Sequence, residues 1–360
     1  MKAIVFGQIG LRKKVFLQQV ESLARSKGKI LRVFNVGNMM YACDPRITRG
    51  RILQKKVMEL DNIRARVFDD IKGQIAGDSS TDNFIINSHA TFRWPNCLFL
   101  GVAAKEIQDI APDLCITLID DVHRIRLSLN LREQKPEHLT LKDIMVWREE
   151  EIAVADIVSS FIPRCKNYVV AMQNGPELVY KLVCESPLPK IYLSYPISMI
   201  RDDPQIWGQI KDFRQRVKEL SVAFDPYAIA ESALLVEYKA AKSQNKNRRI
   251  VNIRVDEHNL RVPLQEIEQI EGDIQWQIIM RDYRVIEQSA MIVAFIPEKS
   301  GYPVLSDGVT RELTHAEECT KETYIIWQSR RTPSPFTHAT QMFNTVDQFC
   351  SFLSSRVTIN

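Results

Sequence analysis

The chain has 360 residues, of which 45% are hydrophobic and 26% are charged, as in ordinary globular proteins. This length is too great for one typical domain and predicts two, each large enough to bury its own core. The 48 basic residues are nearly balanced by 44 acidic ones, which leaves a formal net charge of +4. This balance argues against nucleic acid as the main partner, whereas small phosphate-bearing ligands remain compatible with it.

The seven cysteines include no CxxC pair and have no histidine-rich partner cluster. We therefore expect reduced, mostly buried thiols in a cytosolic protein, and no metal site. The apolar run at residues 1–10 is too short for a signal peptide, and no stretch approaches the length needed to span a membrane. The sequence predicts a cytoplasmic protein with no membrane partner.

Short apolar runs alternate with longer amphipathic segments along almost the whole chain. Because the runs are continuous in Val, Ile and Leu, they are typical of strands buried on both faces of a parallel sheet. The repeated order of strand and helix predicts an α/β fold with two doubly wound parallel-sheet (Rossmann-like) domains. The candidate strands are residues 3–7, 30–36, 84–90, 114–120, 168–174, 190–197, 291–297 and 323–329.

The sequence ESPLPK at 185–190 ends a helical segment and is followed at once by an apolar run. Prolines stop helices, so the domain boundary is expected here, with domains at 1–186 and 187–360. A charged stretch at about 227–275, which carries QNKNRR at 244–249, interrupts the second domain. We interpret it as an insertion that forms a lid, a subunit contact or neither.

The segment GQIGLRKKVF at 7–16 follows the first strand directly and opens a helix. A phosphate-binding loop of the type G-x-x-x-x-G-K-[ST] requires this position. Gly7, Gly10 and Lys13 fit the motif, but Arg12 stands where the last glycine belongs, and Lys14 replaces the Ser or Thr that holds Mg²⁺. The loop is therefore predicted to be a degenerate kinase element.

The order of this loop and of segments 86–94, 112–121 and 168–183 resembles archaeal-type adenylate kinases and related P-loop kinases over residues 1–184. The resemblance implies that a nucleotide or phosphate is held by the loop residues and by His89, Arg93, Arg124, Arg126 and Asn174. Three roles stay open for this domain: a ligand sensor or assembly platform, a fold kept only for docking, and a working nucleoside monophosphate kinase modulated by the C-terminal half.

Three segments of the second half belong together: a strand at 191–198, a helix and strand at 281–297, and a loop entering a helix at 306–316. Ligands of open α/β sheets bind where strands lead into helices. These segments resemble the nucleoside 2-deoxyribosyltransferase superfamily, and within it the N-glycosidases of nucleotide 5′-monophosphates. The resemblance covers roughly 188–330 without the insertion, and Ser306–Leu313 fits its pattern Ser-x-Gly-Val-x-x-Glu-Leu.

The resemblance implies cleavage of the bond between base and sugar, with Glu312 as the nucleophile and Asp282 as the general acid and base. A carboxylate under the anomeric carbon and a nearby acid are what this chemistry needs. No cofactor is required, a nucleotide is favoured over a nucleoside as substrate, and a homo-oligomer is expected. The residues expected to bind substrate are Tyr192, Ser194, Ser198, Ser306 and Gly308.

The chain departs from the family pattern at Tyr195, which replaces a glycine, at Met199 and Ile200, and at Ser289-Ala290, where the family has Ala-Asp. Purely structural interpretations also exist. The helix macrodipole favours a Glu in the first turn of a helix without any catalysis. Asp282 and Ser306 can be read as residues of helix starts, and His315 as structural. A non-enzymatic, ligand-sensing scaffold is the remaining alternative.

Overall fold

The computed structural model describes residues 1–48, 52, 55–94, 97–131, 139–200, 202–229, 231–244, 249–334, 337 and 339–359. The chain forms two compact units. Unit 1 contains Met1–Cys184 and Ile229–Gln275, and unit 2 contains Glu185–Ala228 and Trp276–Asn360. Most of the sequence QNKNRR, at 245–248, lies outside the described residues.

The strands of the described residues are as follows. They are β1 (Lys2–Phe6), β2 (Leu31–Asn35), β3 (Asn83–Asn87), β4 (Thr91–Trp94), β5 (Cys97–Leu100), β6 (Leu114–Ile119), β7 (Lys166–Ala171), β8 (Lys190–Ser194), β9 (Val222–Phe224), β10 (Ile250–Val255), β11 (His258–Pro263), β12 (Met291–Ile296), β13 (Glu298–Lys299), β14 (Tyr302–Pro303), β15 (Glu322–Trp327) and β16 (Gln341–Phe343).

The α-helices of the same residues complete the two units. They are α1 (Lys13–Ser26), α2 (Val36–Cys43), α3 (Val57–Gly77), α4 (Ala104–Ile110), α5 (Val122–Asn130), α6 (Leu141–Ser160), α7 (Pro176–Cys184), α8 (Ile197–Ile200), α9 (Pro204–Leu220), α10 (Ser232–Gln244), α11 (Leu264–Gln288), α12 (Asp307–Glu318) and α13 (Val346–Ile359).

The sheet of unit 1 is parallel throughout its described part and has the strand order β2-β3-β1-β6-β7. Residues Ala3–Phe6 of β1 are completely buried, which requires packing on both faces of the sheet. The order of strands along the chain reverses around β1. The loop that follows β1 therefore lies at a switch point, where open α/β sheets bind ligands.

The sheet of unit 2 is also parallel in its described part, with the order β16-β15-β12-β8-β9. Numbered from its own first strand, this is the order 2-1-3-4-5 of doubly wound sheets, read from the opposite edge. Residues Ile292–Ile296 of β12 are completely buried. The expected fold class, α/β with two doubly wound parallel sheets, is confirmed, and each candidate strand of the sequence overlaps a strand of one of these sheets.

The charged stretch at about 227–275 lies elsewhere than the sequence analysis placed it. Residues Ile229–Gln275 group with unit 1, not with the second domain. The stretch contains α10, the β10–β11 hairpin and the first part of α11, and β10 packs against α5. The side chain of Glu231, in this stretch, pairs with Arg148 of α6 in the same unit.

A fully buried ion pair joins this stretch to the body of unit 1. The side chains of Arg148, on α6, and Glu231 are 2% and 0% exposed. Their guanidinium and carboxylate groups pair through two bonds, Nη1 to Oε1 at 2.6 Å and Nη2 to Oε2 at 3.2 Å. The backbone N–H of Val122 also donates to Oε1 of Glu231, at 3.1 Å. Each buried charge is thus compensated, as a low-dielectric interior requires.

The part of the chain that the structure describes contains no helix that is both long and apolar enough to cross a lipid bilayer.

Replacing Glu231 with Gln should destabilise unit 1 by about 3–5 kcal/mol, because it leaves the Arg148 charge buried without a counter-ion. The measurement is the urea unfolding midpoint followed by circular dichroism. Glu149→Gln is the matched control: Glu149 lies 3.7 Å from the Arg148 guanidinium but is 52% exposed. Its loss should cost less than about 1 kcal/mol. Equal losses of stability in the two variants would show that the buried ion pair contributes no more than the exposed one.

Candidate functional site

Three of the predicted catalytic and binding residues of unit 2 meet at the switch point of its sheet: Tyr192, Ser194 and Glu312. β8 lies between β9 and β12, so the connections after β8 and β12 leave in opposite directions and open a crevice at their carboxyl ends. Tyr192 and Ser194 belong to the last three residues of β8. Glu312 lies on α12, the first helix after β12 in the described part of the chain.

Glu312 is held by two hydroxyl groups of β8. The Tyr192 hydroxyl donates to its Oε1 at 3.0 Å, and the Ser194 hydroxyl donates to its Oε2 at 2.5 Å. Both donors come from buried side chains, with Tyr192 1% and Ser194 0% exposed. Because the two donors sit on a rigid strand, they fix the position of the carboxylate and stabilise its ionised form.

The electrostatic setting of Glu312 opposes this stabilisation. Burial, followed by the negative charge of Asp282, raises the pKa of Glu312 to about 8 despite the two hydroxyl donors. Burial also raises the pKa of Asp282 to about 6, against the opposing charge of Arg281. The pKa of Tyr192 rises well above its ordinary value through burial and these two carboxylates, so its hydroxyl stays a donor. The two carboxyls form one interacting pair in unit 2.

The structure corrects the helix positions assumed for both carboxyls. Asp282 does not lie at a helix start, because α11 begins at Leu264 and Asp282 lies in its last two turns. Glu312 lies in the second turn of α12, whose first turn contains Asp307. The dipole effect is confined to the first turn. Favourable placement at a helix N-terminus therefore does not explain either carboxyl.

The remaining predicted substrate contacts surround the start of α12 or lie apart. Ser306 is the N-cap of α12, and its Oγ accepts from the backbone N–H of Val309 at 3.3 Å, which supports the capping interpretation. A Cβ atom at Gly308 would meet only the Ser306 hydroxyl, at 3.7 Å, so packing does not require a glycine there. Ser198 is exposed on the short helix α8.

Tyr195, the departure from the expected glycine, bonds to a buried acid. Its hydroxyl donates to Asp225 at 2.6 Å, and the same carboxylate accepts from Arg214 and Lys218, each at 2.7 Å. Burial alone would raise the pKa of Asp225, but the charges of Lys218 and Arg214 outweigh it and lower that pKa. Tyr195 thus secures the end of β8 to α9, the helix that carries both cations.

In unit 1 the side chain of Lys13 returns to the glycine loop that precedes it. Lys13, only 5% exposed, donates through Nζ to the backbone oxygens of Gly7 and Ser88, the latter at 2.6 Å. Its Nζ also lies 3.1 Å from Nδ1 of His89. Burial, then the charge of Lys13, lowers the pKa of His89, so this ring is neutral and accepts. The structure therefore brings Gly7, Lys13 and His89 together, with three partners around one ammonium group.

The predicted phosphate-contacting arginines of unit 1 already have carboxylate partners. Arg124 donates to both oxygens of Asp256, at 3.0 and 2.9 Å, and Arg126 lies 3.9 Å from Glu266. Both acids belong to the stretch that the sequence analysis interpreted as an insertion. Carboxylates of the same chain thus pair with the two arginines that the kinase resemblance assigns to phosphate groups.

The other predicted nucleotide contacts are spread over unit 1. Arg93, on β4, donates to Glu150 of α6. Asn174 lies in a 3₁₀ turn after β7, and Lys14 is exposed on α1. Gly10 adopts φ +107°, and a Cβ there would lie 2.9 Å from Ile125, so backbone conformation and packing both explain this glycine.

Several residues of these sites escaped the sequence analysis. Glu151 is 1% exposed and accepts from the backbone N–H groups of Ala90 and Thr91, at 2.9 and 3.3 Å. Asp120 is a buried carboxyl at the end of β6, and burial raises its pKa to about 7. The doublet Asp120-Asp121 after an apolar strand was the available signal; the position of Glu151 within a long acidic helix offered none.

No protein-family model matches the chain, and no curated protein matches it. Among solved structures, the shikimate kinase of Aquifex aeolicus is similar over 51% of this chain and 93% of its own, with 14% identity and a TM-score of 0.31. Similarity this low supports no conclusion about activity. The interpretation of both units therefore depends on their own residues.

Glu312→Gln should stabilise the protein increasingly as the pH rises. The pKa of Glu312 is raised from its ordinary value of 4.5 to about 8. Between these values the unfolded chain is ionised while the folded site still retains its proton, so folding stability is lost as the pH rises. The neutral amide removes this loss. We expect equal melting temperatures near pH 4.5 and a higher one for the variant at pH 9.

The measurement is the melting temperature of both proteins from pH 4.5 to 9, where each kcal/mol corresponds to about 2–4 °C. Glu318→Gln is the control, because Glu318 is exposed on the same helix. A difference between Glu312→Gln and the unmodified protein that does not change with pH would contradict a raised pKa.

Proposed function

We propose that unit 2 is a nucleotide N-glycosidase or deoxyribosyltransferase that cleaves the base–sugar bond through Glu312. The observation that carries this proposal is the Glu312 carboxylate at the switch point, positioned by two buried hydroxyl donors, with the charge of Asp282 acting on it. The resemblance of segments 191–198, 281–297 and 306–316 to deoxyribosyltransferases supports the same assignment.

The proposed reaction has two steps. In the first, Asp282 donates its proton to the departing base while the Glu312 carboxylate forms a bond to the anomeric carbon, giving a glycosyl ester. In the second, Asp282 takes a proton from water or from an incoming base, which attacks the same carbon and releases Glu312. Two displacements at one carbon give overall retention of its configuration.

The raised pKa values determine how many protons the two carboxyls hold at a given pH. Two interacting carboxyls lose their protons in two steps that belong to the pair. The pKa values of about 6 and about 8 leave a pair that holds one proton near neutrality. The higher pKa belongs to Glu312, so the reactive form requires that the remaining proton move to Asp282, which leaves the Glu312 carboxylate accepting both hydroxyl hydrogen bonds. One acid and one nucleophile are thus present at the same pH.

A nucleotide is the proposed substrate rather than a nucleoside. Ser306 caps α12 through a lone pair of its oxygen, so its O–H can donate to a phosphate oxygen. The first N–H groups of a helix also attract anions. Gly308, where a side chain would meet only Ser306, adds room for a phosphate at this position.

For unit 1 we propose a regulatory or assembly role without phosphoryl transfer. Lys13 contacts Gly7, Ser88 and His89, and the arginines of α5 pair with carboxylates of Ile229–Gln275. A kinase needs these cations for phosphate groups. The position of the glycine loop at a switch point of the sheet still supports the kinase alternative. ATP turnover with nucleoside monophosphates that disappears in Lys13→Ala would establish that alternative.

Incubation with a panel of nucleotides, deoxynucleotides and NAD should release free base, or exchange it onto an added base. Chromatography measures the product. Glu312→Gln should lower kcat by about 10³-fold or more, because it removes the nucleophile. Asp282→Asn should lower it by about 10²–10⁴-fold, the usual contribution of a general acid. Glu318→Gln should retain full activity. Base release that survives Glu312→Gln would refute the assignment.

The pH profile of kcat/KM should be bell-shaped with its maximum near pH 7. Activity rises as the first proton leaves the pair, near the pKa of about 6, and falls as the second leaves, near the pKa of about 8. In Asp282→Asn the alkaline limb should disappear, since no group remains to lose the catalytic proton. Profiles of both proteins from pH 5 to 9 provide the test, and an unchanged alkaline limb would contradict it.

A further inference from the structure

We propose that Glu287, His315 and Cys319 form a transition-metal site in unit 2 that is suited to Zn²⁺. Their ligand atoms, Oε1, Nε2 and Sγ, all lie within 4.8 Å of one another. The sequence analysis expected no metal site, because the chain lacks CxxC pairs. The spacing that escaped it is a His and a Cys four residues apart on α12, facing a carboxylate from another helix, α11.

The distances between the ligand atoms match the edges of a zinc tetrahedron. Zn–N bonds of about 2.05 Å and Zn–S bonds of about 2.3 Å at the tetrahedral angle give an N···S edge of about 3.6 Å and an N···O edge of about 3.4 Å. In the structure, Nε2 of His315 lies 3.6 Å from Sγ of Cys319 and 3.1 Å from Oε1 of Glu287. A cation among these atoms needs a shift of the Glu287 carboxylate, whose Oε1 is about 0.3 Å closer to Nε2 than the N···O edge and lies within 4.8 Å of Sγ.

A cation also satisfies this cluster better than hydrogen bonds do. Nε2 of His315 faces a carboxylate and a sulfur atom, and a single ring N–H cannot serve both in good geometry. The ring is held in place by Tyr283, whose ring stacks on it at 4.0 Å and 12°. Imidazole, thiolate and carboxylate groups are each ligands that zinc takes in proteins, and water would complete the fourth position. Glu287 is 55% exposed, so an ion can reach the site.

The site would join the two helices that carry the coupled carboxyls. His315 lies one turn after Glu312 on α12, and Glu287 lies little more than one turn after Asp282 on α11. A bound ion would restrain the ends of both helices. This inference goes beyond the proposed function and does not depend on it, since its tests measure metal binding rather than base release.

The test is titration of the untagged full chain with Zn²⁺ against a chromophoric chelator, and with Co²⁺ by absorption spectroscopy. We expect a 1:1 complex and a thiolate-to-cobalt charge-transfer band. Loss of a partner outside the ligand shell costs about 10–100-fold in affinity, so loss of a ligand should cost at least about 100-fold. His315→Ala and Cys319→Ser should therefore bind Zn²⁺ at least about 100-fold more weakly, and Cys319→Ser should lack the band.

Glu287→Gln, an exposed change, should weaken binding without affecting folding, and circular dichroism checks each variant. The matched controls are His258→Ala, Cys97→Ser and Glu318→Gln, which alter exposed residues of the same types outside the cluster. They should bind Zn²⁺ with unchanged affinity. Two results overturn the site: no binding by the unmodified chain at micromolar Zn²⁺, or equal affinities in Cys319→Ser and the unmodified chain.

Discussion

The candidate site depends on the cost of ionising one carboxyl group. Glu312 is partly shielded from water and feels the charge of Asp282, which both disfavour its ionisation, while hydroxyls from Tyr192 and Ser194 favour it. A carboxylate balanced in this way is more reactive than one in solvent, because fewer interactions must be broken when it forms a new bond. Other contacts of unit 2 hold these groups in place: β8 carries the two donors, and Tyr195 after it bonds to Asp225, which Arg214 and Lys218 of α9 also contact.

In unit 1 the groups that need compensation are cations. Arg148 is matched by Glu231, and Arg124 is matched by Asp256 at the surface. These acids come from the second segment of the unit, so the segment acts as an internal set of counter-ions. A phosphate ligand would have to compete with carboxylates that are tethered to the same chain.

Much of this fold was predictable because buried parallel strands are continuous apolar runs. Such a run can be recognised in the sequence without knowing which strands lie beside it. β9 and β16 escaped because three-residue edge strands carry too little pattern. The glycine loop and the motif around Glu312 were also recognisable, because each is a short continuous stretch of sequence. The membership of Ile229–Gln275 in unit 1 was not, since this stretch forms pairs such as Arg148–Glu231 between residues far apart in sequence.

The discontinuity of unit 1 affects how the chain can fold during synthesis. Domains generally fold from the N-terminus as they leave the ribosome. Here the first 184 residues emerge with the guanidinium of Arg148 lacking the carboxylate that later encloses it, because Glu231 follows only after the strand β8 and the helix α9 of the other unit. Completion of the first unit must therefore wait for translation of part of the second, which couples the maturation of the two units in time.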